Sequence, residues 1–388
     1  MKTVKLAIVT THPIQYNAPW FRLLSQQPGL QVKVFYTWSQ SQHGAKYDPG
    51  FGRVINWDIP LLDGYEYEFV ENIAKEPGSH HFKGINNPSL NEKLKDWQPG
   101  AILIIGWNFI SHLRCMRYFK RKVPILFRGD STLLDEQPGL KKQLRRVFLK
   151  FVYSFVDYAF YVGSNNKKYF LKHGLKEEQL HFAPHAIDND RFTDNEAEQL
   201  EKVKAWKKEL GLNNNDFVLL FAGKFESKKD PALILELAAS ITDPKVKFIF
   251  IGNGILESEL KSAALPDKRI LFLDFQNQKM MPVVYRMSDI FILPSKGPGE
   301  TWGLAINEAM ACARTVIASD KVGCAVDLIS NKNGYVIKGR DIAGTVAFIE
   351  EVRQKNTVVE MGKESQEMIK PYSFEAIVTN IEDLINKL

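Results

Sequence analysis

Two carboxylates eight residues apart, Glu300 and Glu308, stand in a stretch whose residues from Gly303 to Ala313 are otherwise mostly small or apolar. Charged side chains are seldom buried without a partner, so in this company Glu308 is poorly explained as part of a solvated helix face. An apolar run, Ile290 to Leu293, and a loop, Pro294 to Gly299, come before it, and residues with good helix propensity follow. A strand thus delivers a helix N-terminus next to an acid. The first amides of a helix lack partners and sit at its positive end, so the N–H groups of Thr301, Trp302, Gly303 and Leu304 are placed to bind an anion. Glu308 falls in the second turn, within reach of the same pocket.

Other candidates also follow strand-like runs. The run from Leu220 ends at Gly223, and three lysines lie just beyond it. Glycine lets backbone approach a ligand there, and Lys224 and Lys229 supply positive charge for a diphosphate. Gly252 and Gly254 follow the next strand in the same way, and Phe275 and Gln276, after another, are placed to border a nucleotide base. Near the N-terminus, His12, Gln15, Tyr16 and Asn17 follow the first strand, where His12 serves either structure or catalysis. Asp130, after the strand ending at Phe127, is either a turn former or an acceptor contact and base. Trp107, beside Asn108, reads equally as a sugar-stacking wall or a core tryptophan.

The elements that must hold these residues alternate along the chain. Strand-like runs at Val4 to Thr10, Gln31 to Tyr36, Ala101 to Ile105, Val123 to Phe127, Tyr158 to Val162 and Leu180 to Phe182 form a first set. A second set comprises Phe217 to Ala222, Lys247 to Ile251, Ile270 to Leu273, Ile290 to Leu293, Thr315 to Ala318 and Tyr335 to Ile337. Helical patterns between them indicate parallel sheets with crossover helices. The charged, asparagine-rich stretch Asp188 to Asn215 separates the sets. The expected fold class is α/β, with two Rossmann-like domains, 1–200 and 201–370, facing each other across a cleft at the strand C-termini. An amphipathic helix in 371–388 follows, with Ser373 as its cap, and is expected to cross back to the N-terminal domain.

Bulk properties narrow the function. The chain has 388 residues, 45% hydrophobic and 25% charged, as expected of a globular protein with a large core. The apolar run at Val4 to Val9 is too short for a signal peptide, and no stretch approaches the roughly 18 apolar residues of a membrane span. A cytosolic protein is expected. Cys115, Cys312 and Cys324 have no paired spacing, which argues against a disulfide framework or zinc site. The one Asp-x-Asp, Asp188 to Asp190, falls in the separating stretch, so no metal is expected.

The net charge of +6 is concentrated in one place: Arg114 to Lys150 holds eleven Lys/Arg against Asp130, Asp135 and Glu136. Within 139–156, Leu140, Leu144, Val147, Phe148, Phe151, Val152 and Phe155 form a helical stripe beside Lys141, Lys142, Arg145, Arg146 and Lys150. That composition fits either an interfacial helix drawn to anionic lipid or a core helix with a solvated basic face. The aromatics are not interleaved with the bases as a stacking platform, which argues against nucleic acid.

Taken in order, the motifs from about 220 to 340 resemble the second half of a retaining glycosyltransferase of the GT-B fold, family 4 (glycosyl transferases group 1). The resemblance is carried by Gly223 and Lys224 through Lys229, Ile251 to Gly254, Ser288 and Asp289 to Pro294 and Ser295, and Glu300 to Leu304 through Glu308 to Cys312. It continues through Val316 to Ser319, Gly323, Asp327, Asn333 and Gly334. The family's Glu-x7-Glu pattern falls on Glu300 and Glu308. The resemblance implies that Glu300 holds the donor sugar near the reacting carbon, Glu308 the ribose, and the amides at Trp302 to Leu304 the diphosphate. Lys224 and Lys229 would neutralise the departing nucleotide. Lysine replaces the family's usual arginine at 224, which keeps the charge without the planar fork.

The first loop carries Thr11 to Pro19 where the family has a Gly-Gly pair. Asp130 stands where the family often places a histidine or acid towards the acceptor. The resemblance implies an enzyme of hexosyltransferase type that needs no cofactor or metal. It would move a sugar from a UDP- or GDP-sugar to a saccharide or lipid-linked glycan in cell-envelope or polysaccharide synthesis. Residues 1–200 would bind the acceptor through Gln15, Tyr16, Asn17 and Trp107, with Asp130 and His12 near the chemistry, and 201–370 would bind the donor. Retention could follow same-face attack assisted by the donor phosphate or double displacement through a carboxylate. A nucleotide-sugar epimerase or hydrolase of the same fold, or a non-enzymatic nucleotide-sugar-binding protein, are the alternatives. A peripheral position on the inner membrane face follows if the basic helix touches lipid.

Overall fold

The computed structural model describes residues 3–39, 45–48 and 53–388. The chain divides into two compact units. One comprises the residues up to Lys46, Ile59–His185 and Phe374–Leu388; the other comprises Tyr47–Asp58 and Ala186–Ser373.

In the first unit β1 (Val4–Thr10), β2 (Leu30–Tyr36), β5 (Glu66–Phe69), β6 (Ala101–Ile105), β7 (Ile125–Arg128), β8 (Tyr158–Tyr161) and β9 (Leu180–Phe182) form one sheet. The strands β3 (Ala45–Asp48) and β4 (Arg53–Asn56) pair separately. The large sheet runs in the order β5-β2-β1-β6-β7-β8-β9, with every neighbouring pair parallel. Its middle strands are near-continuous apolar runs because helices cover both faces; Leu6, Ala7, Ile8 and Val9 are fully buried. The chain grows outward from β1 through β2 to β5, then returns to β6 and grows the other way. The loops after β1 and β6 therefore flank the point where strand order reverses.

The edge strand β5 has no counterpart among the apolar runs of the sequence. It reads Glu-Tyr-Glu-Phe, and its register sets Lys33 of β2 opposite Glu66, with Lys33 Nζ 3.1 Å from both Glu66 Oε1 and Glu68 Oε2. Cross-strand charge pairs support an edge that hydrophobic pattern does not mark. The last helix, Phe374–Ile385, buries Phe374, Ile377, Ile381 and Leu384 and packs against the helix Ala18–Ser25 and β9 of this same unit.

The second unit holds β10 (Phe217–Ala222), β11 (Val246–Ile251), β12 (Ile270–Leu273), β13 (Ile290–Leu293), β14 (Thr315–Ser319) and β15 (Gly334–Ile337). All are parallel, in the order β12-β11-β10-β13-β14-β15, so the reversal here lies between β10 and β13. Phe221, Phe225, Phe248 and Phe250 pack beneath it with Leu233, Leu237 and Ile349. Cys115, Cys312 and Cys324 are buried and unbridged.

A buried polar knot closes the first unit near the ends of β2 and β6. His112 Nδ1 donates to Gly106 O at 2.7 Å, and its Nε2 lies 3.0 Å from Thr37 Oγ1. Asn87 Nδ2 donates to the carbonyls of Thr37, Val70 and Glu71 at 3.0, 2.9 and 2.9 Å. Burial pushes His112 down to about 4, against the carbonyl contacts at Gly106 and Ile105 that favour its proton. An unfolded histidine titrates near 6.5, so the stability His112 contributes is present above that pH and is lost as pH falls towards 4. Its full share is about 3 kcal/mol. Burial moves His173, His181 and His185 in the same direction. Urea unfolding of wild type between pH 7 and pH 4 should therefore show declining stability, and His112→Gln should have a shallower slope in that window.

Candidate functional site

The reversal between β10 and β13 brings two loops side by side. The strands are in register, Leu219 with Ile290 and Leu220 with Phe291, so both release their chains at the same edge. Lys296 N donates to Lys228 O at 2.9 Å and ties the two loops together. Across them Lys229 Nζ meets Glu300 Oε2 at 2.5 Å, and Ser295 Oγ donates to the same oxygen at 2.9 Å. Ser319 Oγ, at the end of β14, donates in turn to Ser295 O. Glu300 is 8% exposed, so its charge is compensated by a cation and a hydroxyl in place of water. Two of the residues expected from sequence, Lys229 and Glu300, are thus brought together. Ser295 and Ser319 lie in stretches that carry the family resemblance, but neither was singled out as a site residue.

The turn after Glu300 is held by a second backbone pairing: Gly323 N donates to Glu300 O at 3.0 Å and Cys324 N to Trp302 O at 2.9 Å. The two segments touch closely enough that a Cβ on Gly323 would lie 1.7 Å from Thr301 O. Gly303 has φ +97° and precedes the helix Leu304–Ala311; a Cβ there would lie 2.6 Å from Val322 Cγ1. The indole of Trp302 is buried, donates from Nε1 to Asn307 Oδ1 at 2.9 Å and tilts against Tyr372. Among the side chains of Thr301 to Leu304, that of Trp302 therefore braces the turn while the backbone begins the helix. Glu308 is 3% exposed and accepts from the Tyr285 hydroxyl at 2.7 Å. Tyr285 lies in a buried helix, Met281–Arg286, and its pairing with Glu308 could not be read from their separation in sequence.

Gly223, Gly252 and Gly254 have a packing reason in addition to any ligand. Gly223 N donates to Ile251 O at 2.9 Å, Phe225 N to Asn253 O at 3.0 Å and Leu256 N to Phe225 O at 3.0 Å. A Cβ on Gly252 would lie 2.0 Å from Gly223 O, and one on Gly254 2.6 Å from Phe225 O. The loops after β10 and β11 thus run in direct backbone contact, with Lys224 half-buried in the first of them. Phe275, after β12, is half-buried and its N donates to Asn253 Oδ1 at 3.1 Å. Gln276 Nε2 donates to Asp274 O at 3.1 Å. The residues expected at the donor side therefore follow consecutive strands of one sheet edge.

In the first unit the loop after β1 carries His12, whose Nδ1 lies 3.0 Å from Thr11 Oγ1 and whose ring meets Trp38 edge-on at 5.1 Å. Gln15, Tyr16 and Asn17 are half-buried in that loop, and Asn17 Oδ1 accepts from Trp20 Nε1 at 3.3 Å. Trp107, after β6, packs edge-on against Phe148 at 5.6 Å beside the core of the unit. Asp130 Oδ2 lies 3.5 Å from His185 Nε2. Arg128, which sequence reasoning passed over, is buried at the end of β7 and donates to Ala183 O at 2.6 Å and Pro184 O at 2.8 Å. Burial lowers its guanidinium to about 10, while Asp130 pulls the other way. Burial likewise lowers His185, opposed by Asp130. Arg128 thus holds the segment that sets His185 against Asp130.

Asp188, the first residue of the Asp-x-Asp, caps the helix Asn189–Thr193 by accepting from Arg191 N at 3.2 Å. Among the described residues no three His, Cys, Asp or Glu side chains converge as a metal site.

Residues 202–370 match a family model described as glycosyl transferases group 1. A D-inositol 3-phosphate glycosyltransferase of Geodermatophilus obscurus is 28% identical over 204 residues, covering 49% of this chain and 44% of that protein. The chain therefore matches less than half the length of this curated relative. Among solved structures, Anabaena HepE in complex with UDP has a TM-score of 0.71 at 16% identity and covers 100% of both chains. Sucrose-phosphate synthase from Thermosynechococcus elongatus has a TM-score of 0.73 at 16% identity, covering 99% of this chain and 98% of its own. At these identities the likeness is one of fold: two parallel α/β sheets of the GT-B type.

The close backbone contact behind Glu300 has a direct consequence. Gly323→Ala should push the 300–302 turn away from 323–324 and lower stability by about 1–3 kcal/mol, measured as a fall in thermal midpoint. Gly323 has no left-handed backbone, so the loss reports the contact with Thr301 O and not backbone strain.

Proposed function

We propose that this chain, whose residues 202–370 match the family model for glycosyl transferases group 1, is a retaining, metal-independent glycosyltransferase. It moves a sugar from a UDP- or GDP-sugar to a hydroxyl of a saccharide or lipid-linked glycan. The observation that carries this reading is the Lys229–Glu300 pair at the reversal of the second unit's sheet, where open α/β folds place ligands. Without ligand, Glu300 holds the ammonium. A donor diphosphate arriving there takes over Lys229, and Glu300 is released to accept from the sugar's hydroxyls. As the glycosidic bond breaks, charge grows on the diphosphate, and Lys224, Lys229 and the amides at Thr301 to Leu304 stabilise it. Glu308, oriented by Tyr285, accepts from the ribose hydroxyls, and Phe275 borders the base. The first unit binds the acceptor, with Gln15, Tyr16, Asn17 and Trp107 lining its approach and Asp130 and His12 next to the incoming hydroxyl.

A thermal-shift screen of UDP, GDP, ADP and their sugars tests the donor reading. A diphosphate present at 100 times its Kd stabilises the folded state by about 2.7 kcal/mol, so UDP or GDP should raise the midpoint clearly. Glu300→Gln should lower turnover about a hundredfold or more, and unchanged turnover would remove Glu300 from the chemistry. Rapid formation of epimer or free sugar from donor alone would favour the epimerase or hydrolase instead.

We also propose that the first unit rests on an anionic membrane surface, which puts a lipid-linked acceptor within reach on the inner face. The helix Leu140–Tyr153 buries Leu149, Val152 and Tyr153 but leaves Leu140 83%, Leu144 71%, Val147 70% and Phe151 52% exposed. The apolar stripe is thus wider than the sheet it covers. Leu140, Leu144, Val147 and Leu171 line a groove of about 460 Å³, rimmed by Arg146, Lys150 and Lys172. Apolar side chains beside cations suit acyl chains under acidic headgroups, each cation adding about 1 kcal/mol near such a surface. Among the described residues no helix is long and apolar enough to cross a membrane. The protein should co-sediment with phosphatidylglycerol vesicles and much less with phosphatidylcholine. Val147→Glu, at an exposed position, should weaken that binding, and indifference to anionic lipid would remove this reading.

A further inference from the structure

Next to Lys229 stands a buried carboxylate to which the transfer described above assigns no role. Asp230 is 3% exposed and has φ +49° and ψ 48°, in the left-handed region that L-residues seldom occupy. Its Oδ2 accepts from Arg340 Nη1 at 2.8 Å, and its Oδ1 lies 3.5 Å from Lys296 Nζ. Three segments meet on this one side chain: the turn bearing Lys229, the loop bearing Glu300, and the turn after β15. Arg340 is further held by Glu236. The backbone of Asp230 closes the Ser227–Lys229 turn, its N donating to Ser227 O at 3.2 Å, and starts the next helix by accepting from Leu233 N at 3.1 Å.

Backbone strain at a buried charge is kept where the surroundings over-determine it, and such places cluster at working sites. Lysine has a long, flexible stem, so where Lys229 Nζ rests depends on where its turn is anchored. We infer that Asp230 is a positioning residue: by clamping Lys296 and Arg340 it fixes the turn that presents Lys229 to Glu300. The inference rests on the donor-site reading above, because it gives that ammonium its place before the diphosphate arrives. Lys296 and Arg340 are the counter-charges that allow the carboxylate to be buried.

Asp230→Gly separates this role from a purely conformational one, since glycine adopts the left-handed region at no steric cost and lacks only the carboxylate. Two measurements are made: kcat and KM with the UDP- or GDP-sugar that wild type turns over, and acetylation of Lys229 by acetic anhydride in the unliganded protein, read by peptide mass spectrometry. Asp230→Gly should lose about tenfold or more in kcat with KM little changed. Its Lys229 should be acetylated about as readily as in Glu300→Gln, and Asp230→Asn should lie between it and wild type. Wild-type kcat and wild-type protection in Asp230→Gly would overturn the inference. If that variant does not fold, Arg340→Met and Lys296→Met, at half-exposed positions, take the same two readouts, and wild-type protection in both is equally fatal. Loss of protection in a protein that turns over none of these sugars leaves the positioning role standing and removes the donor reading.

Discussion

An ammonium and a carboxylate held at 2.5 Å, Lys229 and Glu300, are the constraint around which the second unit is arranged. A pair this little exposed stabilises only if its remaining hydrogen-bonding capacity is met and its partners cannot drift apart. The surrounding structure meets both conditions. Ser295 occupies the carboxylate and Ser319 orients Ser295. Lys296 and Lys228 join the two loops through backbone, and Gly323 lets a neighbouring segment lie against the turn that follows Glu300. The parallel sheet supplies the rest, because adjacent strands in register end together and release both loops at one edge.

The first unit repeats the architecture with different chemistry at its edge. Where the second unit gathers lysines and glycines, the segments after β1, β7 and β9 carry His12, Asn17 and an Asp130–His185 contact backed by a buried arginine. Arg128 spends its guanidinium on two carbonyls, so its role there is to fix backbone, and the exposed part of the cluster belongs to Asp130 and His185. On the reading proposed above, the first edge would meet neutral hydroxyls and the second a polyanion.

Much of this could be read in advance. Parallel strands buried on both faces announce themselves as apolar runs, and the twelve expected strands all appear with ends shifted by at most two residues. The carboxylate at Glu308 and the lysine at 229 stood out because their neighbours were apolar or their place followed a strand. What stayed hidden depends on contacts between residues far apart in the chain. β5 is an edge strand held by Lys33 and so lacks an apolar signature. Tyr285 faces Glu308 across 23 residues. The burial of Asp230 is set by Arg340, 110 residues away, and nothing local marks that aspartate as special. The helix at 140–153 shows the opposite case: its apolar stripe was evident, but only packing reveals that half of it covers no core.

The last helix, Phe374–Ile385, buries its apolar face against Ala18–Ser25 and β9 of the first unit, after the whole second unit has intervened in the chain. During synthesis the amino-terminal unit is therefore exposed on the ribosome with part of its surface uncovered while some 190 further residues are made. The unit that begins first is completed only after the other. Its final stability is conferred only once the helix Phe374–Ile385 has been made, by a segment separated from the rest of its unit by the whole of the other.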